Sequence, residues 1–73
     1  MVIELMNVGF YYKIRTKEGI NFTGQVNDRT EKSIEFITIR KEKLIFDDAH
    51  LDWAKEIEKP EVFRWKKKLK HPN

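Results

Sequence analysis

Seventy-three residues make a single small domain, and a chain of this length buries only about 60% of the surface its unfolded form exposes, so its stability is marginal unless something supplements the core. It contains no cysteine, which excludes disulfides and thiolate zinc sites, and its two histidines, His50 and His71, are too few and too far apart for a metal cage. The net charge of +3 is unevenly placed: residues 1–40 hold six Lys/Arg against five Asp/Glu, residues 41–58 three against six, and residues 59–73 six against one. The chain thus divides into a domain at residues 1–58 and a basic aromatic tail at 59–73. Oligomerisation is the expected supplement to the core. The first ten residues carry no positive stretch of the signal-peptide kind, and no run approaches the roughly 20 apolar residues of a membrane span, so a cytoplasmic protein is expected.

Residues 10–16 alternate, with Phe10, Tyr12 and Ile14 on one face and Tyr11, Lys13 and Arg15 on the other, the period of a half-buried strand. Phe10, Tyr11, Tyr12 and Trp53 are aromatics that could stack nucleobases; Phe10 and Tyr12 are expected to fill the core instead, and Tyr11 is left open. Lys17-Glu18-Gly19 makes the turn, with Gly19 free to adopt positive φ. Residues 20–27 form the second strand: Ile20, Phe22, Gly24 and Val26 point inward, while Asn21, Thr23, Gln25 and Asn27 point to water. Gly24 on the apolar face allows a sharp bend or a close approach by another strand.

After a polar turn at 28–32, residues 33–40 form a third strand that is apolar on both faces, Ile34 and Phe36 on one side and Ile37 and Ile39 on the other. Such a strand is expected to be covered on both. A short strand at 44–47 pairs Leu44 with Phe46 on one side. Residues 47–59 could form a helix capped by an aspartate before Pro60, or a helical turn followed by a strand placing Trp53, Lys55 and Ile57 on one face; the second is preferred. In the tail, Pro60 and Glu61 followed by lysines match helix-end rules, with Val62, Trp65 and Leu69 on one side.

Asp47, Asp48, His50 and Asp52 are metal-ligating residue types, but they are read as an acidic turn with one exposed histidine, and no metal or cofactor is expected. Ser33 has no histidine relay, and a domain of this size has little room for a water-excluding pocket, so no enzyme is expected.

With Gly19, Gly24, Gln25, Val26 and the run Ser33-Ile34-Glu35-Phe36 at these spacings, and Phe22 two before the second glycine, the chain resembles the first motif of the Sm family, which includes the Lsm proteins and bacterial Hfq. Phe46-Asp47-Asp48-Ala49 falls where the family's second motif stands, and Leu51, Ala54 and Ile57 resemble the closing segment of the barrel in the ribosome maturation factor RimP. The resemblance implies a five-stranded, strongly bent, SH3-like small barrel, closed into a ring by pairing the fourth strand of one subunit with the fifth of the next. The positions matching the family's uridine-binding residues are Thr30, Lys32 and Ile34, and its Arg-Gly-Asp type loop corresponds to the acidic Asp47-Asp48-Ala49-His50. It therefore implies fold and assembly more than uridine recognition.

The expectation is a homo-oligomer joined through Ile37, Ile39, Leu44 and Ile45. It would bind single-stranded RNA or other nucleic acid through Tyr11, Arg64, Trp65, Lys66, Lys67, Lys68 and Lys70. The alternative is a protein-interaction or structural module of the same fold.

Overall fold

The computed structural model describes residues 2–61, so the tail expectations on Val62, Arg64, Trp65, Leu69 and the lysines lie outside the described residues. Five strands, β1 (Tyr11–Thr16), β2 (Asn21–Arg29), β3 (Ser33–Thr38), β4 (Lys43–Asp47) and β5 (Leu51–Ile57), form one antiparallel sheet in the order β4-β3-β2-β1-β5. Short 3-10 turns at Ile3–Leu5 and Asp48–His50 complete the described elements. Asp48–His50 followed by β5 is the turn-then-strand alternative, not the helix. No described helix is long and apolar enough to cross a membrane.

Alternation does what period two requires. Tyr12, Ile14, Val26, Ile34, Phe36 and Leu51 are buried on one face and form the core, with Phe22, Phe46 and Ala54 packed at its margin. Phe46 ties β4 to that core, its ring centroid 5.3 Å from Phe22 and 6.2 Å from Phe36. Gly24 faces Thr38 on β3, and a Cβ there would lie 2.8 Å from the Ile37 carbonyl carbon and from Thr38 Cα, closer still to Ile37 O. The two strands approach through glycine, as its place on the apolar face implies. Bulges between Val26 and Asp28 and between Arg15 and Thr16 add local bend and twist.

The five expected strands are present in one antiparallel sheet, which is not a closed barrel. Among the described residues β4 pairs only with β3 and β5 only with β1, so the sheet is open and both strands are its edges. The core is completed instead by the N-terminal segment, whose Ile3 and Met6 are fully buried. Ile3 N–H donates to Asp48 Oδ1 at 2.9 Å, Arg29 Nη1 donates to Ile3 O at 3.1 Å and also to Met6 O, and Asn7 N–H donates to Tyr12 Oη at 2.8 Å. A polar tie from three elements thus holds an apolar plug in place.

Two core expectations are also corrected. Phe10 is 46% exposed, because Gly9 at φ 91° turns the chain immediately before β1 and leaves the ring beyond the covered part of the sheet. Ile20 is 50% exposed, because it belongs to the β1–β2 turn, where its N–H donates to Thr16 Oγ1 and its carbonyl accepts from Thr16 N–H. Gly19 has the positive φ the turn needs, 88°. β2 runs on to Arg29, and β3 ends at Thr38, where a turn containing Lys41 at φ 71° leads into β4.

Candidate functional site

The two loops that the family resemblance brings to attention do meet. Asp48 N–H donates to Lys32 O at 2.7 Å, joining the β2–β3 turn to the Asp48–His50 turn, and Lys32, Asp47, Asp48 and Ala49 line a shallow cleft. Much of the polar chemistry around that cleft is already engaged. Thr30 Oγ1 accepts from the Lys32 and Ser33 N–H groups at 3.2 and 3.0 Å and shares a hydrogen bond with Ser33 Oγ, tying the turn to itself. Ile34 is 1% exposed and belongs to the core. The Asp48 carboxylate holds the N-terminal plug through Ile3. Among the described residues, Lys32 is the one of the three aligned positions whose side chain is exposed and makes no hydrogen bond or ion pair.

The assembly candidates fall at the β3–β4 side of the sheet. Ile45 is 70% exposed on the outer face of the edge strand, directly opposite Glu35. Ile37 is half-buried on that same face between Gln25 and Lys43, and Ile39 follows β3 at 39% exposure, its N–H donating to Thr23 O at 2.9 Å. Leu44 is different: it stands opposite Phe36 and faces the core side. Lys43 Nζ lies 3.9 Å from Glu35 Oε2, an exposed pair worth little by itself.

Tyr11 is half-buried on the outer face of β1, in a cross-strand row with Ile57 on β5 and Gln25 on β2. Register also brings to this face Trp53, one of the possible base-stacking aromatics, opposite Arg15, and Lys55, which the site expectations left out, opposite Lys13. Alternation alone places Tyr11, Lys13 and Arg15 together, and Trp53, Lys55 and Ile57 together, but on two separate strands. Nothing local joins them. No protein-family model matches the chain, and no curated protein or solved structure is found to match it.

Proposed function

We propose that this chain is an Sm-like assembly module whose subunits join by pairing β4 of one copy with β5 of the next, and that the assembly carries single-stranded nucleic acid. The observation that supports assembly most directly is the strand order, which leaves β4 and β5 as the two edges of an open sheet. An edge strand presents unpaired N–H and C=O groups, and two different edges that pair head to tail generate a ring when the rotation closes. Ile45, exposed on β4, supports the same surface. The basic tail, six Lys/Arg against one Asp/Glu in residues 59–73, supports the nucleic-acid part.

Light scattering on the purified chain tests the assembly. A discrete oligomer is expected at tens of micromolar, with Ile45→Lys or Ile37→Lys shifting it toward smaller species; a monodisperse monomer would sink the proposal. A second reading is favoured by the engagement of Ile34 and Asp48: a protein-interaction module of the same sheet that reads no nucleotide. Failure of the wild-type chain to bind oligonucleotides at any salt would decide for it.

A further inference from the structure

We infer that the outer face of β5, β1 and β2 is a binding platform for single-stranded nucleic acid, a surface within the folded domain and distinct from the tail. The inference deepens the nucleic-acid reading above and rests on it.

Register puts Ile57 opposite Tyr11, Lys55 opposite Lys13 and Trp53 opposite Arg15. Directly opposed residues of an antiparallel pair project on the same side, so these six side chains share one face. β2 adds Gln25, Thr23 and Asn21 in the same rows. None of the nine positions is Asp or Glu. Lys13, Arg15 and Lys55 are exposed, and among the described residues the ion pair is Lys43–Glu35, elsewhere on the sheet.

This arrangement is not what a merely solvated surface would settle into. Like charges directly opposite each other on neighbouring strands are destabilising, and an acid at either position would turn the repulsion into attraction. β5 carries two acids: Glu56 stands opposite Tyr12, which is 3% exposed on the other face of the sheet, and the exposed Asp52 falls at the bulge between the Leu51 and Trp53 pairs, outside the register. Alternation therefore places Lys55 and Glu56 on opposite faces, a feature that counting along the chain hides. The domain is net acidic in number and locally basic on this surface.

The occupant follows from what flanks the cations. Trp53 is 37% exposed beside Arg15, and Tyr11 closes the other end of the same strand pair. Rows two residues apart lie about 6.8 Å from one another, giving a ladder of cations between two aromatic rings. Cations hold phosphates, and exposed rings stack unpaired bases, the combination used by single-strand binders. A duplex offers no unstacked base to these rings, and the chain's own tail carries the same sign of charge as the face. Pairing of β4 with β5 would use the strand edge and leave the face open, because side chains stand roughly perpendicular to the sheet.

The test uses the full chain and fluorescence anisotropy with labelled oligo-U and oligo-A at about 50 and 200 mM salt. Lys55→Glu converts the Lys13–Lys55 repulsion into an opposite-charge pair, so the variant should melt at or above the wild-type temperature. Its affinity should nevertheless fall tenfold or more, with the salt slope shallower by roughly 0.7 for each phosphate that the face no longer neutralises. Arg40→Glu, the same change of charge in the β3–β4 turn, should shift affinity less than threefold. In a Trp65→Phe background the remaining indole is Trp53, and stacking should quench its fluorescence. If Lys55→Glu and Arg40→Glu bind alike, with no quenching, while deletion of residues 64–73 abolishes binding, the platform is overturned and the tail reading stands. If the wild type binds no oligonucleotide, both fall. If polyglutamate binds as tightly as oligo-U and is equally sensitive to Lys55→Glu, the face is an acidic-peptide site and the inference is overturned.

Discussion

Gly24 is the residue with the least freedom to change. Its neighbours across the strand pair are backbone atoms of Ile37 and Thr38, which cannot swing aside as a side chain can. Gly24→Val should cost about 1–3 kcal/mol through overpacking and displacement of β3, read as a lower midpoint in urea. A midpoint unchanged from wild type would mean that β2 and β3 are not in this register. Arg29 is sensitive for another reason: one guanidinium nitrogen serves two carbonyls, Ile3 O and Met6 O. Arg29→Met keeps much of the apolar stem but removes this donor from Met6 O and leaves Ile3 O with Met6 N–H alone, an expected loss of about 1–3 kcal/mol. Asp48→Ala should act in the same direction, since it removes the acceptor for Ile3 N–H, and the two substitutions should be less than additive because they hold one segment.

Among the elements, the N-terminal segment departs most from what its sequence suggests. A three-residue turn has no periodicity to detect, and its apolar residues are scattered, yet Ile3 and Met6 are as buried as Ile14 or Phe36. Ile3→Ala should therefore cost about 2–5 kcal/mol, the range for truncating a buried aliphatic side chain, whereas Leu5→Ala, at a position 79% exposed, should change stability little. Paired chemical-denaturation curves for the two variants check this. β5 shows the opposite balance between local and distant forces. Propensity over residues 47–59 favours a helix, but pairing with β1 from Thr16 with Leu51 to Tyr11 with Ile57, interrupted by one bulge at Asp52, satisfies most of the backbone and buries Leu51. A helix there would leave β1 as a bare edge.

At the scale of the molecule, charge is partitioned twice: along the chain, between an acidic domain and a basic tail, and through the sheet, with Lys55 and Glu56 on opposite faces of β5. Both partitions predict electrostatic binding. Affinity for oligo-U should drop steeply between about 50 and 200 mM salt, and preference for oligo-U over oligo-A should be weak, because Ile34 is core and Thr30 is spent on its own turn. Tight, salt-insensitive and uridine-selective binding, measured by the same titration, would contradict this.

Much of this protein is determined by its sequence alone, and for a local reason. Alternation with period two identifies β1, β2 and β3, assigns Tyr12, Ile14, Val26, Ile34 and Phe36 to the inside, and separates Ile37 from them, since neighbouring residues of a strand must point opposite ways. Where the core stops is not local. Phe10 and Ile20 continue the alternation yet lie beyond its cover, and Ile3 and Met6 lack a pattern yet complete it. Whether the sheet closes depends on what lies at its edges, and here β4 and β5 stay apart while the N-terminal plug fills the core. The platform shows the division most clearly. Tyr11, Lys13 and Arg15 share a face on one strand, and Trp53, Lys55 and Ile57 on another, by alternation alone. Only the antiparallel pairing of β1 with β5, between segments far apart in the chain, sets Lys55 against Lys13 and turns two ordinary strands into one cationic, aromatic surface.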